Sequence, residues 1–217
     1  MIGEFYIIKM KVNSFVKRNF TNEKDMVIDI GCGKNPYYHD SIQGQITCID
    51  IYNTGKADVV ADASFLPFKD SSFDKAISVN SIYYFKNPLL FAEKVSKMIK
   101  KNGKIIVITP FMYPIHDASV DKYRFTEHGL RTVFEDYFRI EKVEQIGGIF
   151  NMPSVFLHSL LKGIPLLSPK FLKPLAYLIS YILFYIPYLA VQLLGVLDFF
   201  DRSKRWSTYF AIVAARK

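Results

Sequence analysis

Cysteine is scarce in this chain, with only Cys32 and Cys48 present. Two thiols exclude a disulfide framework, supply no Cys-rich metal cluster, and fit a reducing compartment as small buried residues. The stretch from Met1 to Phe20 mixes apolar and basic residues and lacks a continuous apolar core followed by a cleavage site of small residues. No signal peptide is therefore expected there, and the segment reads as a helix covering a sheet. Internal repeats and low-complexity linkers are also absent, and 217 residues suit one α/β domain with an elaboration better than two full domains. Acidic residues become rare toward the end of the chain. Residues 153–217 hold eight Lys or Arg against Asp198 and Asp201, so +6 of the formal +8 lies there. Basic charge attracts nucleic acid or anionic lipid. Beside strongly apolar segments and without a nucleic-acid motif, it favours a membrane surface and no nucleic-acid partner.

What is present is more specific. The apolar run Val27-Ile28-Asp29-Ile30 passes straight into Gly31-Cys32-Gly33-Lys34-Asn35-Pro36. A strand entering so glycine-rich a turn reads as a nucleotide-binding turn, where the backbone approaches a ligand and a following helix would aim its free N–H groups at it. Dinucleotide folds require glycine at the first, third and sixth positions, and here the sixth is Pro36. Asp29, just before the turn, would repel a diphosphate but pair with an ammonium group. S-adenosylmethionine carries such an amine together with a sulfonium.

Around this turn, strands are predicted at 26–30, 46–50, 58–60, 73–79, 104–109, 139–146 and 206–215. They alternate with helical stretches as in a doubly wound parallel sheet. One helix spans Pro88 to Lys100, with Asn87 as N-cap and Gly103 as stop signal, and another runs from Thr126 to Tyr137. Asp50 closes its strand about twenty residues after the turn, where a carboxylate can accept both ribose hydroxyls.

From Asp29 onward the chain resembles class I S-adenosylmethionine-dependent methyltransferases, in particular their type 11 branch. The resemblance rests on the acidic-x-Gly-x-Gly segment Asp29–Gly33 and on Ala61-Asp62-Ala63 ahead of Leu66-Pro67-Phe68 and Ser72-Phe73-Asp74. It rests also on His116-Asp117 followed by Asp121-Lys122-Tyr123-Arg124-Phe125-Thr126. It implies a Rossmann-like, seven-stranded mixed α/β sheet whose last strand runs antiparallel between the fifth and sixth. S-adenosyl-L-methionine would be the cofactor, with no metal. Asp29, Gly31, Cys32 and Gly33 would line its methionine part, Asp50 and Ile51 its ribose, and Asp62 its adenine amine, with Ala63 leaving room for the ring. Asn80 would face the methionine end or the acceptor, or else be a satisfied turn residue. A third glycine is common in the family where Asn35 stands, and many relatives carry a His near Tyr84; this chain has neither. His116 is the first candidate for a general base, because imidazole titrates near neutral pH. Asp121 and Arg124 either join it in the catalytic site or form an ion pair that shapes the loop. His39 and His128 read as surface residues.

On this reading residues 1–147 and 206–217 form the methyltransferase domain, and 148–205 are an apolar helical insertion between strands six and seven, membrane-associating or substrate-capping. Pro174–Leu197 contains no charged residue. As a straight helix it would be about 36 Å long, against about 30 Å of hydrocarbon. A single crossing would separate two strands of one sheet, and Pro187 would kink the segment, so a helical hairpin or re-entrant wedge is expected. Tyr177, Tyr181, Tyr185 and Tyr188 share one helix face, as interfacial tyrosines do. Lys170, Lys173, Arg202, Lys204 and Arg205 bracket the segment and suit anionic headgroups. The alternative is packing against the sheet or in a homodimer. The insertion is expected over the active-site face, because the sixth strand ends and the seventh begins at that edge. The combination points to methyl transfer to an oxygen of a lipid-linked, glycan or other amphipathic acceptor, by a cytoplasmic protein held peripherally or monotopically at the membrane. The competing reading is a non-catalytic cofactor-binding or membrane scaffold module; Pro36 and Asp29 disfavour a nicotinamide oxidoreductase.

Overall fold

The structure is a computed structural model that describes residues 6–115, 119–201 and 205–217. Its strands are β1 (Thr21–Ile30), β2 (Gln43–Asp50), β3 (Val59–Val60), β4 (Phe73–Val79), β5 (Ile99–Pro110), β6 (Phe138–Ile146) and β7 (Tyr209–Arg216). They form one sheet in the order β3-β2-β1-β4-β5-β7-β6. Pairing is parallel from β3 through β5, whereas β7 runs antiparallel to β5, with Lys104 opposite Ala215 and Pro110 opposite Tyr209. The seven-stranded mixed sheet and the place of its last strand are as expected. Central strands are rich in β-branched residues without alternation because both faces are covered; Ile105 through Ile108 and Ala211 through Ala214 are all buried.

The chain divides into two compact units. The larger comprises Val12–Phe111, Ile115–Glu144 and Tyr209–Lys217, and the smaller Met1–Lys11, Met112–Pro114 and Gln145–Thr208. In the larger unit, helix α2 (Pro88–Met98) starts as the sequence indicates, with the Asn87 side chain accepting from Leu90 N. It stops earlier than Lys100, because Ile99 already pairs with Phe73 in the sheet. Gly103 is therefore inside β5, and Asn102 takes the left-handed conformation. Helix α3 (Glu127–Phe134) is capped by Thr126 Oγ1, which accepts from Gly129 N, and it too ends sooner than Tyr137. Helix α1 (Tyr6–Asn19) buries Ile8, Val12, Phe15 and Val16 on one stripe.

The smaller unit is a helical hairpin. Its outgoing arm is α4 (Met152–Leu167), and its return arm joins α5 (Lys173–Ser180) to α6 (Ile186–Leu194) through a π-helical turn at Tyr181–Tyr185. Pro187 does not break this arm. A proline clashes with the carbonyl four residues earlier, here Leu183, and that residue lies in the widened π turn, which takes up the misfit. The tyrosines do not form one interfacial face: Tyr188 is fully buried, and Tyr181 stacks on Tyr185. A clasp closes the base of the hairpin. Phe150 N donates to Asp198 Oδ1 and Ile149 N to Asp201 Oδ2, both at 3.0 Å, while Lys11 Nζ reaches Asp198 Oδ2 at 2.7 Å and Gly195 O at 2.6 Å.

Replacing Asp198 by Ala should cost about 2 kcal/mol, below the range for fully buried pairs because the Lys11 side chain is 30% exposed. Thermal denaturation should show the loss, with proteolysis within 148–205 accelerating; an unchanged midpoint and cleavage rate would refute the clasp.

Candidate functional site

The turn after β1 is shaped by what its glycines lack. Gly31 (φ +80°) and Gly33 (φ +64°) both adopt the left-handed conformation. Gly31 N and Cys32 N donate to the same acceptor, Ile49 O, at 2.8 and 3.1 Å, which folds the turn toward β2. A Cβ on Gly31 would lie 2.4 Å from Ser81 Cβ, so the turn also presses on the end of β4. Ser81 is fixed there by its hydroxyl, which donates to Ile30 O at 2.9 Å and pairs with Ser78 Oγ. A Cβ on Gly33, in contrast, would meet no atom within 4 Å, so this glycine borders open space. Its N–H donates to Asp50 Oδ2 at 2.9 Å, and Tyr52 N donates to Asp50 Oδ1 at 3.1 Å. Asn35 does not take up the left-handed conformation, so it is not a substitute for a third flexible glycine.

No α-helix follows the turn, contrary to expectation. Residues 34–38 are irregular and lead into one 3₁₀ turn, His39–Ser41, before β2. In place of a helix, two side chains from this stretch bond the carboxylate that precedes the turn. Tyr38 Oη donates to Asp29 Oδ2 at 2.7 Å, and His39 Nε2 lies 2.6 Å from the same oxygen. His39 is thus no surface residue but a partner of the key carboxylate. Asp29 is wholly buried, and its other oxygen, Oδ1, has no partner. Burial raises its pKa above the ordinary carboxylate value, while the hydrogen bonds from His39 and Tyr38 oppose that rise. A buried aspartate on a strand calls for nearby donors, and Tyr38 and His39 were the sequence signal for this pair. The Cys48 thiol completes a group with Asp29 and His39 whose ligand-type atoms all lie within 4.8 Å of one another. Burial, then Asp29, pushes Cys48 up to about 11, and Cys32 is raised for the same reasons in the same order. With a protonated thiol and an existing Asp29–His39 hydrogen bond, this group reads as a hydrogen-bonded cluster rather than a ligand set.

Asp50 ends β2, followed by Ile51, which is exposed. Asp62 is exposed and its side chain accepts from Ser64 N at 2.7 Å, while Ala63 is buried beside it. Asn80, at the end of β4, is left-handed with φ +56°. Its N–H donates to Ile108 O at 2.9 Å, but its Oδ1 is buried without a partner, so it is not a satisfied turn residue. Two unpartnered acceptors, on Asp29 and Asn80, and open space at Gly33 fit a ligand that carries a cationic donor. They suit the amine of S-adenosylmethionine.

His116 lies outside the described residues. Asp121 and Arg124, in the same loop, form the ion pair foreseen as one of their two roles. Arg124 Nη2 bonds Asp121 Oδ2 at 2.7 Å, and Nη1 bonds Oδ1. The Asp121 side chain is buried, and its hydrogen bonds hold the Arg124 guanidinium pKa above the ordinary arginine value. The pair seats this loop against the end of β4: Lys122 N donates to Tyr83 O at 3.1 Å, and the guanidinium lies 5.5 Å from the centre of the Tyr83 ring.

Residues 28–107 match a family model described as a methyltransferase domain. Two uncharacterized proteins of Methanocaldococcus jannaschii are related in sequence. MJ0638 is 28% identical over 103 residues, covering 44% of this chain and 45% of that protein; MJ1252 is 32% identical over 120 residues, covering 50% and 48%. The chain therefore spans just under half the length of these curated relatives. Among solved structures, the [4+2]-cyclase SpnF superposes with a TM-score of 0.60 at 16% identity, covering 95% of this chain and 80% of that one. A Haloferax volcanii complex of the Trm112 methyltransferase activator with a putative methyltransferase gives 0.60 at 16% identity, covering 96% and 90%. A geranyl diphosphate C-methyltransferase from Streptomyces coelicolor A3(2), bound to Mg²⁺, geranyl diphosphate and S-adenosyl-L-homocysteine, gives 0.59 at 11% identity, covering 96% and 76%. At these identities the structures establish the fold.

Two substitutions test the turn. Gly31→Ala should lower the thermal midpoint, since the new methyl must displace Ser81 and the backbone must keep φ +80°. Asp29→Asn should reveal the buried carboxyl through pH. Because the folded-state pKa is raised above the ordinary value of 3.8, the stability Asp29 contributes is full below that value and is lost as pH rises through the raised one. Thermal melts from pH 4 to 8 should thus show wild type losing ground to Asp29→Asn as pH rises; parallel profiles would refute the raised pKa.

Proposed function

We propose, from the match of residues 28–107 to a methyltransferase-domain model, that the protein transfers a methyl group from S-adenosyl-L-methionine to an oxygen of an amphipathic, lipid-linked or glycan-type acceptor at the cytoplasmic face of a membrane. The observation that carries the cofactor assignment is the wholly buried Asp29 with an unpartnered Oδ1, four residues before a Gly33 that borders open space. Bound there, the cofactor would supply an already activated methyl on sulfur.

The chain's own residues would do the rest. Asp29 and Asn80 would hold the amino-acid end, with Gly31, Cys32 and Gly33 keeping the backbone low beneath it. Asp50 would exchange its backbone N–H partners for the ribose hydroxyls, with Ile51 packing alongside. Asp62 would accept from the adenine amine, next to Ala63. His116 would take the proton from an acceptor hydroxyl, and the Asp121–Arg124 pair would position the loop that carries it. Orientation supplies most of the rate under these conditions, since the methyl donor needs no further activation. The membrane part of the reading is supported by the helical segment Lys170–Phe200, which is long and apolar enough to cross a membrane and is mostly exposed.

Titration calorimetry should show S-adenosylmethionine binding that Gly31→Arg abolishes and Asp50→Ala weakens about 10- to 100-fold, as loss of charge-assisted hydrogen bonds predicts. No heat in the wild type would refute the cofactor assignment. Replacing His116 by Asn should lower turnover about 10²- to 10⁴-fold while leaving cofactor affinity unchanged. Undiminished turnover would remove His116 from the mechanism. Cofactor binding without methylated product from lipid or glycan extracts would instead assign the chain to a binding module.

A further inference from the structure

The return arm of the hairpin has its polarity inverted. On the return arm, the buried side chains include Ser180, Tyr188 and Gln192, and the facing arm buries Ser154 and His158 together with Val155 and Leu161. His158 and Tyr188 lie ring to ring at 5.9 Å across the seam. Neither the Ser180 hydroxyl nor either end of the Gln192 carboxamide has a hydrogen-bond partner. The opposite arc of the same arm exposes large apolar side chains, among them Leu178, Ile182, Leu183, Ile186 and Leu193; Ile182 is 62% and Ile186 73% exposed. Water would favour the reverse arrangement on both counts. Hydrocarbon favours this one, because acyl chains solvate the outer arc and polar side chains meet between helices.

The basic residues indicate how such a hairpin would lie. Lys170 and Lys173 sit at the turn between the arms, and Arg205 follows the return arm beyond Asp198 and Asp201, which the clasp engages, so a basic residue stands at each end of the long axis. The outgoing arm, α4, has 16 residues, about 24 Å of helix. Standing upright, it would leave Lys170 and Lys173 short of the far side of a core about 30 Å thick, where a buried ammonium is strongly disfavoured. Lying flat, both ends reach headgroup phosphates and the apolar arc faces the acyl chains.

We propose that α4 to α6 lie along one leaflet of an anionic bilayer without crossing it. The outer arc of α5–α6 enters the acyl region, and Lys170, Lys173 and Arg205 sit at the phosphates. This deepens the membrane part of the proposed function and rests on it, but not on the cofactor assignment.

The test uses the full chain with sealed vesicles of phosphatidylglycerol and phosphatidylcholine, or of phosphatidylcholine alone. The protein should float with the anionic vesicles about tenfold more than with the neutral ones, and an Ile182→Lys/Ile186→Lys variant should stay in solution while still binding S-adenosylmethionine. A Ser168→Cys variant, at the turn between the arms, should react with a membrane-impermeant maleimide added outside the vesicles; Cys32 and Cys48 are buried, so the parent protein serves as control. Protection of that cysteine until detergent is added would mean the hairpin crosses, which overturns the flat orientation. Equal flotation with neutral vesicles would overturn the anionic preference. Failure to float, with a dimer that the double Lys variant dissociates, would assign the arc to a second copy and overturn the proposal. Flotation without cofactor binding would uphold the surface and sink only the enzymatic reading.

Discussion

The close approach of Gly31 to Ser81 shapes the end of the sheet at which the candidate site lies. Strand β1 pairs with β2 on one side and β4 on the other, and the order of connections reverses between β1 and β4. Crevices form at such reversals, at the carboxyl ends of the strands. Because Gly31 has no side chain, the turn can close onto Ser81 while also bonding Ile49 O. That double attachment brings the ends of β1, β2 and β4 together, and with them Asp29, Asp50 and Asn80. A methyl group at position 31 would overlap the Ser81 side chain, so Ser81 or the turn would have to shift.

A cost accompanies this arrangement. Burying Asp29 favours its protonated form, and only Tyr38 and His39 offset that tendency. A neutral residue there would carry no such burial cost, which supports the cationic partner proposed for this carboxylate. The unpartnered Asn80 Oδ1 and its left-handed backbone carry the same implication at the neighbouring strand.

Much of this was legible from residue order alone. Apolar runs ending in Asp or Gly located the strands, and Trp206–Ala215 announced the last of them, although pairing starts only at Tyr209. The Asp29–Gly33 turn and the strand end at Asp50 were read at the right places, and Gly33 N indeed bonds Asp50 there. What escaped was set by contacts distant in sequence or by steric detail. His39 looked like a solvated residue because nothing local shows that Asp29 is sealed from water. The missing helix after the turn traces to Pro36 and to the short path to β2, which a 3₁₀ turn can fill. Asp198 and Asp201 read as stray charges, since their partners, the N–H groups of Phe150 and Ile149, lie some fifty residues earlier. Pro187 was read as a kink because the π turn that absorbs it has no signature in composition.

The clasp at the base of the hairpin has a structural corollary. With Asp198 and Asp201 bonded to residues 149 and 150, the detour starts and finishes at one point, and Thr208 N donating to Gly147 O tightens it further. A segment closed on itself in this way asks little of its host beyond two adjacent chain ends, since longer loops add closure entropy only slowly. A hairpin closed at its own base in this way can change in length or sequence without the sheet's strands having to move.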